Sequence, residues 1–318
     1  MSDVPAGMTV GQMLDRVFRL MRAYWRLFIG IAILPAIAIS AVMAAAMTWW
    51  MAEVEPSILA HPGTFPHIPI YPLILIFAGS QLVIPLYALY APAAIHAATQ
   101  ANLGVRVGFR QSYSVAWRHY GRYLWLMVLM LLYINVPLAV AGALIGAGAF
   151  LMLHGSPPGT LPVGIFMLIP AGVLAYFGFM IYAVMIMLRF AVAYPAAVAE
   201  DLAARAALRR STALTCGARG RIFLVLLVVA AASMAINMAI MTVLEFVAAM
   251  GAVAAMLAHV AVGSAAFYAL AGLAVLAYVL FMVVYCAFTY AVINTALAVV
   301  YHDQRWRKEG IAPWALPA

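Results

Sequence analysis

Long apolar runs follow one another along the chain, separated by short polar connections rich in arginine. A helix needs about 20 apolar residues to cross about 30 Å of hydrocarbon. Six runs qualify, over residues 27–50, 71–94, 124–153, 163–188, 222–244 and 265–300. The last is longer than one crossing, so it tilts or projects beyond the bilayer. Residues 245–264 are apolar but broken by Gly251, His259 and Gly263. Two readings stay open for them: an external interfacial helix, or added span length.

Ahead of the first run, Thr9 and Gln12 have capping-box spacing, and Val10, Met13, Leu14, Val17, Met21, Tyr24 and Phe28 recur at helical period. This predicts an amphipathic helix lying on the membrane. A cleavable signal does not fit, because Asp15, Arg16, Arg19, Arg22 and Arg26 are interleaved with the apolar positions and not gathered ahead of them.

Composition agrees with the pattern. The chain of 318 residues is 68% hydrophobic and 8% charged, where a soluble domain is about a quarter charged. A water-soluble fold is excluded on that ground. The expectation is one membrane domain over residues 1–318, all-α, a polytopic transmembrane helical bundle of six spans. Cys216 and Cys286 form no disulfide framework or metal-ligand spacing.

Charge sets the orientation. Basic residues group at 16–26, 106–122, 189–221 and 305–308, all on one side of the predicted spans, whereas the opposite loops carry only Glu53, Glu55 and Glu245 as charges. Lys and Arg near span ends stay in the cytoplasm, so both termini are expected inside. Trp49 and Trp50 at the outer end of the first span, and Trp25, Trp117 and Trp125 near inner ends, suit an aromatic belt.

The basic segments also repeat. Aligning Ser112 with Ser211 places Gly121 on Gly220 and Arg122 on Arg221, and Tyr90-Ala91-Pro92-Ala93-Ala94-Ile95 matches Tyr194-Pro195-Ala196-Ala197-Val198 after a small gap. A similar shift brings Arg118, Tyr120 and Arg122 onto Arg22, Tyr24 and Arg26. The chain thus reads as three tandem two-span repeats over 9–98, 102–199 and 201–300, each preceded by a basic amphipathic interfacial helix, with 301–318 as a cytoplasmic tail. All keep one orientation, unlike the inverted repeats of many ion-coupled transporters. The competing explanation is chance likeness among alanine-rich helices.

Three pieces carry a family resemblance: Gly11-Gln12-Met13-Leu14-Asp15-Arg16-Val17-Phe18-Arg19-Leu20, then Ala207-Leu208-Arg209-Arg210-Ser211 with 217–223, and Tyr301-His302-Asp303-Gln304-Arg305-Trp306-Arg307-Lys308-Glu309-Gly310. They resemble the bacterial membrane domain found fused to glycerophosphoryl diester phosphodiesterases, and the YciC-like inner-membrane proteins. The resemblance implies a six-span protein of the bacterial inner membrane. His302 stands where family members often have a second Tyr or Asp, and Cys216 where a basic residue is common. The family supplies no catalytic residues to transfer, and the chain has no polar stretch long enough for a phosphodiesterase domain.

The arginines are the main candidate chemistry: Arg16, Arg19, Arg22 and Arg26; Arg106, Arg110, Arg118 and Arg122; Arg205, Arg209, Arg210, Arg219 and Arg221. They could hold anionic lipid head groups, at about 1 kcal/mol per basic residue near the surface, or simply set topology. Nucleic acid is a poor partner, since the net charge of +8 lies along a membrane face without a nucleic-acid module. Pro35, Pro85, Pro92, Pro137, Pro170 and Pro195 fall in or beside spans, where each removes a backbone donor and either opens a polar path or makes an ordinary packed kink. Gln81, Asn135, Asn237 and Asn294 are the deepest strongly polar side chains, and the equivalent placing of Asn135 and Asn237 suggests interhelical hydrogen bonds. No Asp, Glu or Lys lies at mid-membrane depth, which argues against proton-coupled pumping. His96 reads as interfacial. Glu53, Glu55, His61, His67, His154, His259 and Glu245 have no metal-ligand spacing, so no metal or cofactor is expected.

The leading reading is a non-enzymatic membrane protein that binds or organises lipid, with anionic lipids and homo-oligomers or other membrane proteins as partners. A transporter or permease component is the alternative, and an intramembrane enzyme the second. No nucleophile elbow, P-loop, dinucleotide fingerprint or HExxH motif occurs.

Overall fold

Apolar runs with no water to bond their backbone must satisfy it internally, and a helix does so within one segment. The computed structural model describes residues 7–49, 70–155, 161–257 and 264–310. Among them the regular structure is entirely helical: α1 (Val10–Trp49), α2 (Ile70–Asn102), α3 (Phe109–Arg118), α4 (Tyr120–Gly155), α5 (Leu161–Phe190), α6 (Ala193–Ala199), α7 (Ala204–Thr215), α8 (Arg219–Leu257) and α9 (Ala265–Glu309).

Five segments among the described residues are long and apolar enough to cross a membrane: Val10–Val42, Tyr120–Gly148, Gly172–Ala199, Arg219–Gly251 and Gly272–Glu309. The run expected over 71–94 falls within α2, a helix of 33 residues that is not among the five. The ambiguous stretch after residue 244 is helical and continuous with α8 as far as Leu257, so these residues lengthen that helix. Residues 258–263 lie outside the described residues. At its other end α9 continues past residue 300 to Glu309, so the start of the expected tail is helix.

The first helix begins as its spacing predicts. The Thr9 amide donates to Gln12 Oε1 at 2.8 Å and the Gln12 amide to Thr9 Oγ1 at 3.3 Å, a reciprocal capping box. Met13, Val17 and Met21 of the apolar stripe are buried. At Tyr24 the backbone leaves helical geometry (φ −124°, ψ 25°), separating this amphipathic stretch from the apolar run that follows. A like geometry recurs at His119 between α3 and α4 (φ −120°, ψ 24°), and Cys216–Ala218 breaks the chain between α7 and α8.

Burial is concentrated at one end. The core is built from α1 near Met13–Ala36, α2 near Ala91–Ala101, the short helices α3, α6 and α7, the adjoining ends of α4, α5 and α8, and the second half of α9. The arginines lie at this end, called here the basic end. α1 packs chiefly on α9 and then on α2. Toward the opposite end large apolar side chains are exposed, such as Leu144 at 70%, Leu174 at 73% and Met256 at 77%. Lipid tails solvate such surfaces as well as a protein core does.

The prolines do not end their helices. α1, α2, α4 and α5 run through Pro35, Pro85, Pro92, Pro137 and Pro170. Each proline deprives the carbonyl four residues earlier of its donor, and at two of them a tyrosine supplies one. Tyr113 Oη donates to the Ile31 carbonyl, four residues before Pro35, at 2.7 Å. Tyr182 Oη donates to the Tyr133 carbonyl, four residues before Pro137, also at 2.7 Å. At these two prolines the orphaned carbonyl is satisfied, which favours the bland reading of them.

Candidate functional site

Arginine is always charged and presents five donors, so what each one bonds decides what it can still do. The structure divides twelve of the thirteen candidates into an engaged set and a solvent-facing set.

In the engaged set, Arg122 sits on Asp201, donating to its carboxylate at 2.5 Å and to its carbonyl at 2.8 Å. That bond is the main reason the Asp201 carboxyl is held below its ordinary range. Arg210 donates through Nε to both oxygens of Glu200, at 3.0 and 2.9 Å, and pairs with Glu309. Burial alone would lower the Arg210 pKa, but its bonds to these two carboxylates outweigh burial and raise it. Arg16 donates Nε to Asn102 Oδ1 at 2.9 Å and Nη2 to the Asn102 carbonyl at 3.0 Å, closing the C-terminal end of α2. Arg19 pairs with Asp15 at 2.8 Å on an exposed surface. Arg219 joins neither set: it is half-buried, with its Nε unpartnered among the described residues.

Arg221 belongs to the most buried of these pairs. It bonds Asp303, whose side chain is 1% exposed and also accepts from Arg307 Nε at 3.0 Å and from the Met8 amide at 2.8 Å. Arg307 in turn donates to the Met8 carbonyl at 2.6 Å. A turn of α9 thus grips both polar groups of one residue just before α1. The approach is close enough that a Cβ at Gly7 would collide with the Arg307 guanidinium. Elsewhere on α9, Tyr301 Oη donates to Glu200 at 2.7 Å, and the Lys308 ammonium caps the carbonyls of Ala213 and Cys216 at the C-terminal end of α7.

Arg22, Arg26, Arg106, Arg110, Arg118, Arg205 and Arg209 form the other set. All are exposed and none is in an ion pair among the described residues. Exposed aromatic rings neighbour those of α1 and α3 in the chain: Trp25 at 51%, Phe109 at 49% and Trp117 at 68%. Arg26 lies 5.4 Å from the centroid of the Trp25 ring. Arg110 and Arg118 line one shallow depression with Trp117.

Next to the Asp303 grip lies a cleft of about 760 Å3, between the start of α1, the end of α2 and the last turns of α9. Gln12, Arg16, Arg19, Asn102, His302 and Trp306 are among its lining residues. His302 is 2% exposed, and its Nε2 is buried without a hydrogen-bond partner among the described residues.

The intramembrane polar residues separate as well. Asn294 is buried and makes an interhelical bond, to Tyr90 Oη of α2 at 3.3 Å, besides one to the Tyr290 carbonyl at 2.9 Å, whereas the sequence suggested such bonds at Asn135 and Asn237. Tyr87, Tyr90 and Tyr290 pack there ring to ring. Asn135 does otherwise. It is exposed and donates to the Leu131 carbonyl of its own helix at 2.9 Å, so the bond expected between helices is local at this position. Asn237 is half-exposed and Gln81 exposed. Of the outer histidines and carboxylates, Glu53, Glu55, His61, His67 and His259 lie outside the described residues. Among those described, no three His, Cys, Asp or Glu side chains gather in a way that could hold a metal.

Glu200, Asp201, Asp303 and Glu309, which organise the basic end, were not singled out by the sequence pattern. A carboxylate placed within an arginine-rich segment was the available signal. Comparison with family models, curated proteins and solved structures finds no match to this chain.

Proposed function

We propose that this protein is a non-enzymatic membrane protein that binds and organises anionic lipid along its basic end. The observation that carries the reading is the division of the arginines. The folded chain occupies Arg16, Arg122, Arg210 and Arg221 with its own acceptors, yet leaves Arg110, Arg118, Arg205 and Arg209 exposed on the surface helices α3 and α7. At about 1 kcal/mol per basic residue near an anionic surface, four such residues give a contact of useful strength. Exposed Trp117 beside Arg110 and Arg118 suits the interfacial depth at which head groups lie. Topology alone needs charge on one side but not its pairing with interfacial aromatics.

The finer architecture belongs to the same proposal. Placing both termini in the cytoplasm of a bacterial inner membrane follows from positive charge at one end. α2, about 50 Å long at 1.5 Å per residue, is the sixth span. The threefold tandem plan draws support from the backbone breaks at Tyr24, at His119 and at 216–218, each separating a basic amphipathic stretch from an apolar helix. The likeness to the phosphodiesterase-associated membrane domain rests on the sequence pieces alone. The permease reading draws less support, because Asn135 faces outward and Asn294 is enclosed by tyrosines.

Native mass spectrometry of the full chain released from mixed phosphatidylglycerol and phosphatidylcholine membranes tests the proposal. Wild type should retain phosphatidylglycerol preferentially, and a variant carrying Arg110→Gln, Arg118→Gln, Arg205→Gln and Arg209→Gln should lose most of that preference. Equal retention of the two lipids by wild type would overturn it.

A further inference from the structure

We propose that the cleft between α1, α2 and α9 is a discrete site for a phosphate-bearing anion, distinct from the diffuse contact made by the surface arginines. The lipid-binding reading bears only on where that anion comes from. The cleft's volume of about 760 Å3 lies in the range of small-molecule sites, about 300–1,000 Å3. Its chemistry favours an anion, because Arg16 and Arg19 line it, and the Asp303 carboxylate on its wall is already held by Arg221 and Arg307. Arg16 is held in place by its two bonds to Asn102. These use Nε and Nη2, and Nη1 keeps its donors for the cleft. A guanidinium fixed in this way loses little freedom when it binds.

His302 supplies the second, independent observation. Its ring is buried at the cleft wall with Nε2 unpartnered among the described residues, and a buried polar group without a partner is destabilising. That nitrogen is closed off behind the cleft surface, so a phosphate oxygen accepting from Nε2–H, which would satisfy it, requires a small shift of the wall. Gln12 adds an amide donor, and Trp306 gives the cleft an apolar wall and a spectroscopic reporter. Two sources share this chemistry: the head group of an anionic phospholipid, entering from the adjacent membrane surface, or a soluble phosphate.

Full-length protein in phosphatidylcholine nanodiscs would be titrated with inorganic phosphate in one arm. In the other it would be reconstituted with increasing phosphatidylglycerol, with tryptophan emission followed in both. The expected result is a saturable change that disappears in Trp306→Phe, is weakened at least tenfold in Arg16→Gln and His302→Gln, and is weakened severalfold in Arg19→Gln, whose exposed side chain leaves folding intact. A response to inorganic phosphate identifies a soluble ligand, a response to phosphatidylglycerol alone identifies the head group, and either supports the site. No Trp306-dependent change in either arm would overturn it, as would a change unaltered by Arg16→Gln and Arg19→Gln together. Failure of the surface reading shows separately, as undiminished lipid preference in the variant of α3 and α7.

Discussion

Two buried polar residues show how differently the same degree of burial weighs. Asp303 and Asn294 are both essentially inaccessible, but Asp303 carries a charge shared with two guanidiniums, while Asn294 is neutral and its Oδ1 accepts nothing among the described residues. Removing one member of a buried ion pair costs about 3–5 kcal/mol because the partners keep their charge. Arg221 and Arg307 are 21% and 33% exposed, so water relieves part of the cost, and Asp303→Asn should destabilise by about 3 kcal/mol. A single interhelical hydrogen bond within a membrane averages about 0.6 kcal/mol, so Asn294→Leu should cost under about 1 kcal/mol. Thermal unfolding of the two variants in one detergent checks the order, and a larger drop for Asn294→Leu would refute this account of the basic end.

Asp201 poses a different residue-scale problem, since it combines an ion pair with a left-handed backbone at φ +52°. Asn tolerates that conformation and Ala does not, at about 1–2 kcal/mol. The ion pair itself is worth little, because the carboxylate is 74% exposed. Asp201→Ala should therefore lower stability more than Asp201→Asn, although both remove the charge. The pair has its own pH signature. A carboxyl whose pKa is depressed in the folded state contributes stability above its unfolded pKa and loses it as pH falls through the folded value. The wild-type advantage over Asp201→Asn should accordingly be level from neutral pH down to the ordinary carboxylate range and vanish only below it. Chemical denaturation at several pH values measures both effects, and an advantage fading already near pH 6 would contradict the pairing with Arg122.

At the scale of elements, the helices were legible where one periodic signal ran uninterrupted. The capping box, the stripe from Met13 to Met21 and the apolar runs appear where the spacing puts them. Helix ends were less so. Gly251 was a reason to break the chain, yet α8 continues through it to Leu257, because one glycine costs only about 1 kcal/mol in a helix. The proline compensation was not legible, since Tyr182 comes to the Tyr133 carbonyl from another helix. The same reasoning gives a coupling test. Tyr182→Phe leaves that carbonyl bare and should cost about 1–2 kcal/mol. Pro137→Ala restores an N–H that can take the carbonyl, so in its background the Tyr182→Phe penalty should fall to near zero. A double-mutant cycle on thermal stability reads the difference, and strictly additive effects would show that the tyrosine serves some other purpose.

For the whole molecule, burial at one end and exposure at the other follow from a change of solvent along the axis. Where lipid surrounds the helices, apolar faces gain nothing by meeting one another, and the far halves of α4, α5 and α8 leave Leu144, Leu174 and Met256 uncovered. At the basic end, charged groups must find partners or water, and short helices, arginines and carboxylates knit the long helices together. The candidate site lies in this zone, and the sequence exposed only half of it. The arginines stood out by type and position, but which of them remain available depended on carboxylates such as Asp303, which meets Arg221 across 82 residues of chain. Orientation then decides which water the basic end meets. Cys216 is exposed beside α7 at that end, while Cys286 lies half-buried within α9. In a Cys286→Ala background, a membrane-impermeant maleimide added to intact cells should leave Cys216 unmodified and label it once the membrane is opened. Labelling before opening would put the arginines outside, against the positive-inside rule, and would remove the cytoplasmic leaflet as the source of anionic lipid.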